Sequence, residues 1–186
     1  MSRKALIVYG TRYGATAGTA EEIARVLRGE AIETDVVDVK KEKVKDISGY
    51  DLVVVGSGMQ MGKWTGAAEG FLKKFHKELA GKKVAIFVSS AAKALTEHEK
   101  DTAELAKMNQ QYLADKAAQY NLEPISMTIL GGVWDYNKMF FIFRKTLASF
   151  KPKIEEAGFQ EVEPGLYDTR DWDEIRAWAK EIADAL

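Results

Sequence analysis

The chain has 186 residues, of which 46% are hydrophobic, and this length predicts one domain over residues 1–186 with a large buried core. Its 27 basic and 28 acidic residues give a net charge of −1, which argues against the basic surface that nucleic-acid binding needs. The chain has no cysteine, which excludes disulfides and thiolate catalysis, and its two histidines, His76 and His98, offer little to a metal. We therefore predict no metal site, and any redox chemistry needs a bound cofactor.

The N-terminal residues are predicted to form a first strand, because an apolar run over residues 5–9 stops at Gly10. A run of this kind is not a signal peptide, and no apolar run in the chain approaches the roughly 18 residues of a membrane-spanning helix. We therefore expect a soluble, cytoplasmic protein.

Residues 4–16 join that strand to a helix through a short, hydroxyl-rich loop. Residues 5–8 are continuously apolar, as in a central parallel strand, and the residues after the loop recur with helical spacing. Within the loop, Thr11 and Thr16 offer hydroxyl groups, and Gly14 lets the backbone turn. Because the N-terminus of a helix carries partial positive charge, the pattern predicts a phosphate loop over residues 11–16.

The spacing of this loop fits neither a dinucleotide fingerprint, G-x-G-x-x-G, nor a nucleoside-triphosphate loop ending in Gly-Lys-Ser/Thr. With Thr11, Gly14 and Thr16, it resembles the T/S-x-T-G-x-T loop of the flavodoxin family, which holds the terminal phosphate of FMN. Tyr13 stands where the family usually has a third hydroxyl residue, so one phosphate hydrogen bond is lost or comes from Arg12. A plain strand-to-helix turn would also use Gly and Thr, and the loop alone leaves both interpretations open.

Four further strands alternate with helices along the chain. The apolar runs predict strands over residues 33–39, 51–56, 82–88 and 125–130. Thr96 with Glu99 predicts a capping box for a long helix that runs to about Tyr120. Alternating strands and helices imply a three-layer, doubly wound α/β fold with a five-stranded parallel sheet of order 2-1-3-4-5, the flavodoxin-like arrangement.

The loops after strands one, three, four and five are rich in Gly, Ser or Thr, and in a parallel sheet of this kind they meet at one crevice. The resemblance implies that FMN lies there. Trp64 is predicted to stack on the isoalloxazine ring, with a core position as the alternative, and Trp134 and Tyr136 are further candidates. The residues predicted to contact FMN are Thr11, Arg12, Tyr13, Gly14, Ala15, Thr16, Ser57, Gly58, Met59, Gln60, Met61, Gly62, Lys63, Trp64, Ser89, Ser90, Ala91 and Trp134.

Residues 133–170, between strand five and the last helix, are more than a simple connection needs. They include an aromatic-rich stretch predicted as a helix over residues 137–150. Asp171 is then predicted to cap a final helix. The apolar stripe of that helix consists of Trp172, Ile175, Trp178, Ile182 and Leu186.

A flavodoxin core with a late insertion, an aromatic and basic stretch after strand five, and a terminal D-W-x-x-I-x-x-W-A-x-E-I helix resembles the menaquinone-dependent protoporphyrinogen dehydrogenases of bacteria and their archaeal relatives. The resemblance runs from residue 6 to residue 182. It implies an FMN-dependent oxidoreductase that takes electrons from a reduced tetrapyrrole and passes them to a quinone. No catalytic base is identified, because Asp135, near the crevice, is typical of a turn residue.

Two other functions stay open, a flavodoxin that carries electrons between redox partner proteins and an FMN-binding regulatory module. Small electron carriers of this family are typically strongly acidic, so the weak net charge favours the enzyme. Phe141 stands among Lys138, Arg144, Lys145 and Lys151. We expect residues 134–151 to receive a flat anionic substrate or to rest on the inner face of an anionic membrane, unless they serve packing alone.

Overall fold

The computed structural model describes residues 3–138 and 148–186, and its centre is a five-stranded parallel sheet. The order of the strands is β2-β1-β3-β4-β5, and all neighbouring strands are parallel. This confirms the predicted fold class and strand order. The strands are β1 (Lys4–Gly10), β2 (Glu33–Asp38), β3 (Leu52–Gly58), β4 (Lys83–Ser89) and β5 (Ser126–Leu130).

The burial of each strand follows its place in the sheet. From their second residue onward, β1 and β4 are buried throughout, and β3 is buried until its last residue. Such strands are continuously apolar because helices cover both of their faces. The edge strands β2 and β5 keep several partly exposed residues, which explains their weaker apolar pattern.

Two layers of helices cover the sheet. On one face lie α1 (Ala15–Gly29) and α7 (Trp172–Asp184), whose buried side chains share a core cluster with β1, β3 and β4. On the other face lie α2 (Gly66–Leu79), α4 (Thr102–Asn109) and α5 (Asp115–Gln119). None of the helices among residues 3–138 and 148–186 has the length and apolar character that crossing a membrane would require.

The final helix has the predicted cap and the predicted buried face. The Asp171 side chain accepts hydrogen bonds from the backbone N–H groups of Asp173 and Glu174, which have no partner inside the helix. Ile175 and Ile182 are fully buried in the core cluster on this face of the sheet. The apolar stripe therefore fixes α7 against the sheet and, through it, against α1.

The predicted capping box at Thr96 is wrong. Thr96 lies inside a short helix, α3 (Ala92–His98), where its hydroxyl donates to the carbonyl oxygen of Ala92. Lys100 then adopts a left-handed conformation, with φ of 54°, and ends the helical path. The next helix, α4, is capped by Asp101, whose carboxylate accepts from the Glu104 N–H at 2.9 Å. The helix that continues the chain is thus capped by Asp101 alone, five residues after Thr96, because the Asp101 N–H donates to the carbonyl oxygen of Thr96 and not to the Glu104 side chain.

The long insertion forms a small antiparallel sheet of order β6-β8-β7, which the sequence did not predict. Its strands are β6 (Val133–Asp135), β7 (Glu161–Glu163) and β8 (Leu166–Asp168), and α6 (Lys151–Glu156) packs beside them. Tyr167 is fully buried there; burial and its hydrogen bond to Glu155 raise its pKa to about 12. Most of the predicted helix over residues 137–150 lies outside the described residues.

The insertion is held against the main sheet by a backbone contact that only glycine permits. A Cβ atom on Gly131 would lie 2.1 Å from the carbonyl oxygen of Thr169. Beside this contact, the Thr169 N–H donates to the carbonyl oxygen of Gly132 at 2.9 Å, and the Gly132 N–H donates to the Thr169 hydroxyl at 3.2 Å. The start of β6 is therefore fixed next to the end of β5.

We expect Gly131→Ala to lower the free energy of unfolding by about 1–3 kcal/mol, because the added methyl group meets backbone that cannot rotate away. Gly70→Ala is the matched control, since nothing lies within 4 Å of an added Cβ at this position in α2. It should stabilise the protein by about 0.5–1 kcal/mol through helix propensity. Urea denaturation followed by circular dichroism measures both changes, and unchanged stability of Gly131→Ala would contradict the close approach.

Candidate functional site

A cavity of about 260 Å³ opens at the carboxyl edge of the main sheet. The loops after β1, β3, β4 and β5 surround it, as the alternation of strands and helices predicts for a doubly wound sheet. Its lining consists of Thr11, Arg12, Tyr13, Ala15, Thr16, Gly58, Met59, Gln60, Met61, Gly62, Ser89, Ser90, Ala91, Ala92, Tyr112, Gly132, Val133 and Trp134.

Most of the predicted site residues meet at this cavity, although their contacts with a cofactor remain a prediction. The structure places four of them, Gly14, Ser57, Lys63 and Trp64, outside the lining. Four lining residues were missed by the sequence analysis. Of these, Ala92 directly follows the predicted Ala91, and Gly132 and Val133 lie between the end of β5 and the predicted Trp134, whereas Tyr112 comes from a distant helical segment. The missed residues are Ala92, Tyr112, Gly132 and Val133.

The phosphate loop ends at a helix N-terminus that no side chain of the described residues caps. Gly14 is the N-cap of α1 and has φ of 102°, which favours glycine. The Gly14 N–H donates to the Thr11 hydroxyl at 2.9 Å, and this bond closes the loop. Ala15 and Thr16, in the first turn of α1, line the cavity. The positive end of the helix dipole therefore faces a space that an anion can enter.

Arg12 and Tyr13 connect the phosphate loop to the β3 loop, defined as residues 59–65. Nη2 of Arg12 donates to the carbonyl oxygen of Trp64 at 2.9 Å. The Tyr13 hydroxyl accepts from Nε2 of Gln60 at 2.7 Å. Tyr13 thus has a structural role in the position where a smaller hydroxyl residue was expected. The expected phosphate contact of Arg12 stays a prediction, since one of its amino groups already binds the β3 loop.

The β3 loop turns back on itself at the mouth of the cavity. Gln60 and Lys63 exchange two backbone hydrogen bonds, of 3.2 and 3.0 Å. The two residues between them both have positive φ, 51° at Met61 and 72° at Gly62, which defines a type I′ turn. This conformation is unfavourable for Met61, whose side chain is 76% exposed. The turn therefore presents an apolar, strained residue to solvent beside the cavity.

Trp64 occupies the alternative position that the sequence left open, the core. Its side chain is only 4% exposed and packs in the core cluster under α2. Its Nε1–H donates to the carbonyl oxygen of Tyr112 at 2.9 Å. The prediction that Trp64 stacks on the flavin therefore conflicts with its observed place outside the lining, because the ring is held by the core.

The lining carries little charge. Among the described residues that line the cavity, Arg12 is the one with a charged side chain at neutral pH, and none is Asp, Glu or His. Asp135, outside the lining, accepts from the backbone N–H groups of Asn137 and Lys138 at 3.1 and 3.2 Å and pairs with the Lys138 ammonium at 3.0 Å. It acts as a turn residue. Burial raises the pKa of Tyr112, so its phenol stays protonated at neutral pH.

Two buried polar atoms of lining residues have no hydrogen-bond partner in the described part of the chain. They are the hydroxyl oxygen of Ser89 and Nε1 of Trp134. Leaving such groups unpaired costs about 1–3 kcal/mol each, so a site that keeps them is suited to a ligand that supplies the partners. A heteroaromatic ring with carbonyl and N–H groups, joined to a phosphate, offers such partners. The residues present therefore fit a flavin mononucleotide.

The fold and the cavity define a doubly wound α/β protein in which a hydroxyl-rich loop and a helix N-terminus line a cavity at the carboxyl edge of the sheet. Residues 6–157 match the family described as "Flavodoxin domain". The chain belongs to the flavodoxin family. Flavodoxin domains bind FMN, so the family confirms the class of cofactor that the sequence predicted.

Several known proteins are similar over most of the chain. A Leishmania major protein named protoporphyrinogen IX dehydrogenase (quinone) is 27% identical to this chain. The alignment covers 98% of this chain and 75% of the Leishmania protein. The protein of the same name from Escherichia coli (strain K12) is 26% identical, and the alignment covers 97% of this chain and 94% of the Escherichia coli protein. The structure of oxidised flavodoxin 1 from Bacillus cereus superposes on this chain with a TM-score of 0.50 and 17% sequence identity. The superposition covers 82% of this chain and 97% of the flavodoxin. This last similarity shows the fold alone.

Two buried serines at the ends of neighbouring strands are expected to respond differently to substitution. Ser57 accepts the N–H of Thr65 at 2.9 Å, so Ser57→Ala leaves a buried donor unpaired and should lower the free energy of unfolding by about 1–3 kcal/mol. Ser89→Ala removes a buried hydroxyl without a partner among the described residues, so it should leave the free energy of unfolding unchanged or raise it by up to about 1–3 kcal/mol.

Chemical denaturation of both variants without added ligand measures the difference. A loss at Ser89 as large as that at Ser57 would mean that the Ser89 hydroxyl is already paired within the protein.

Proposed function

We propose that the protein holds FMN in this cavity as an oxidoreductase that takes electrons from a protoporphyrinogen-type tetrapyrrole and passes them to a quinone. One observation supports the binding of FMN in this proposal. The same cavity combines a helix N-terminus without a side-chain cap and two buried polar atoms without partners among the described residues. A ligand with an anionic end and a polar ring satisfies both ends of such a cavity.

The phosphate loop would hold the phosphate of FMN. The Thr11 oxygen already accepts the Gly14 N–H, so its own proton is directed to another acceptor. Thr16 is 1% exposed and lies at the bottom of the loop, where a hydroxyl proton can bind a phosphate oxygen. The helix N-terminus and Arg12 add positive charge without any carboxylate in the lining.

The β3 loop and the residues after β4 would hold the ring. Bound FMN supplies hydride and single-electron transfer. The residues of the lining would position and enclose the ring. They would not act as a general acid or base, because the lining holds no Asp, Glu or His among the described residues. Ser89 and the Trp134 indole are placed to bind polar edges of a ligand. We assign them positioning roles and assign no proton transfer to a side chain.

The substrate and the acceptor in this proposal rest on the two relatives named protoporphyrinogen IX dehydrogenase (quinone), which align with nearly the whole chain. The proposal includes a cytoplasmic location with contact to the membrane surface, where quinones are found. The residues expected to make this contact include Phe141, Arg144 and Lys145, which lie outside the described residues. Lys151, at the end of the same stretch, pairs with Glu161 at 2.8 Å.

Thr16→Ala is expected to weaken FMN binding by about 1.5–3 kcal/mol, because a hydrogen bond to a charged phosphate is lost. Thr19→Ala is the matched control, since Thr19 is buried one turn later in α1 and does not line the cavity. Titration of the cofactor-free protein with FMN gives both affinities, and mass spectrometry identifies the cofactor released from the purified protein. Release of FAD alone, or no flavin binding after reconstitution, would overturn the proposal.

Enzyme and electron carrier differ in turnover. We expect reduced tetrapyrrole to bleach the visible spectrum of the FMN-loaded protein, and a quinone to restore it over many cycles. A flavin-loaded protein that exchanges electrons with redox partner proteins, but that neither tetrapyrrole nor quinone can reduce or reoxidise, would be an electron carrier. This result would remove the substrate from the proposal and keep FMN.

A further inference from the structure

Tyr112 lines the cavity but is far along the chain from the loops that follow the strands of the main sheet. It lies in a π-helical segment, residues Gln110–Ala114, between α4 and α5. The three elements follow one another without a break, and they cover the sheet beside α2. Segments of this kind are rare and occur frequently at functional sites.

The π-helical segment explains why Tyr112 reaches the cavity. Met108, Leu113 and Ala117 are the buried residues of this stretch, so the core-facing positions are five and then four residues apart. In a regular α-helix the residue after Met108 on the same face would be residue 112, four positions later. The wider turn moves the core position to Leu113 and leaves Tyr112 on the flank, partly buried and next to the cavity.

Trp64 fastens this segment to the β3 loop. Its indole N–H donates to the carbonyl oxygen of Tyr112 at 2.9 Å. The indole is itself fixed, because it lies in the core and the Lys116 ammonium stands 5.8 Å from its centre. Lys116 in turn pairs with Glu69 on α2. The position of the Tyr112 backbone is therefore set by Trp64.

The Tyr112 side chain reaches the turn at Met61 and Gly62. Its Cε1 lies 3.7 Å from the place where a Cβ on Gly62 would stand, which is van der Waals distance. Tyr112 is thus an aromatic residue that lines the cavity beside this turn, whereas Trp64, which the sequence had predicted to contact the ring, does not line it.

We propose that Tyr112 contacts the ring of bound FMN and that Trp64 is a positioning residue that acts through it. The inference rests on the proposed binding of FMN in this cavity. A phenol ring is electron-rich, and an oxidised flavin ring is electron-poor. Contact between them stabilises the oxidised cofactor more than the reduced one. Tyr112 therefore increases the affinity for oxidised FMN and lowers the midpoint potential.

The first test compares Tyr112→Leu with two other variants in titrations of cofactor-free protein with FMN. Loss of an aromatic contact should raise the Kd of Tyr112→Leu by about two- to tenfold. Tyr112→Phe keeps a ring and should stay within about twofold of the parent protein. Tyr120→Leu is the matched control, because Tyr120 packs against the same core but does not line the cavity.

The midpoint potential separates a contact from a merely structural role. If the two- to tenfold loss falls on the oxidised form alone, the two-electron potential of Tyr112→Leu rises by about 10–30 mV. The Tyr120 variant should leave it unchanged. Tyr112→Met, which fills similar space without a ring, replaces Tyr112→Leu if that variant does not fold. An unchanged potential in a folded variant without the ring would overturn the proposal, whether or not the affinity for FMN falls.

A double-mutant cycle tests the role of Trp64. Trp64→Phe removes the donor to the Tyr112 carbonyl group and should weaken FMN binding less than Tyr112→Leu does. If Trp64 acts through Tyr112, the double variant binds FMN no more weakly than Tyr112→Leu alone. Additive losses would instead show that Trp64 contacts the cofactor itself. Failure of the parent protein to bind FMN would refute the proposed function, which this design distinguishes from failure of the inference.

Discussion

The site depends on the close approach between the end of β1 and the first turn of α2. A Cβ on Gly10 would lie 2.0 Å from the Thr65 hydroxyl oxygen and 3.2 Å from the backbone nitrogen of Ala68. Thr65 is the N-cap of α2, and its own N–H is held by the buried hydroxyl of Ser57. Because a side chain at position 10 would meet the Thr65 side chain, whose hydroxyl caps α2, this packing fixes the separation between the phosphate loop and the β3 loop. The width of the cavity between these loops follows from it.

Hydrogen bonds then connect the walls in a series. Arg12 binds the Trp64 carbonyl group, Gln60 binds the Tyr13 hydroxyl, and the Trp64 indole binds the Tyr112 carbonyl group. The phosphate loop, the β3 loop and the π-helical segment therefore cannot shift independently. None of these bonds is an ion pair, so the shape of the cavity should depend little on salt, in contrast to the exposed ion pairs elsewhere on the protein.

The sequence predicts local features of this protein better than features that depend on distant contacts. The strands, the turn from β1 into α1 and the Asp171 cap have signals within a few residues, and the structure has all three. The strands β6, β7 and β8 have three residues each, too few to show a period. The place of Tyr112 in the cavity lining, which the sequence did not predict, depends on one π-helical segment. In the sequence, this segment is indicated by the five-residue spacing of the apolar residues Met108 and Leu113, which a regular helix would not place on one face.

The insertion lies outside the five-stranded sheet, and it contributes to the cavity directly. Val133 and Trp134, both on β6, line the cavity, and Trp134 stacks on Phe150 with ring centres 6.0 Å apart. An electron carrier needs an accessible cofactor edge that a partner protein can approach. The additional sheet gives the proposed FMN site a wall on one side, and a small substrate gains more from enclosure than a partner protein does. The position of β6 therefore supports the enzyme that we propose over a carrier, on grounds other than the names of the relatives.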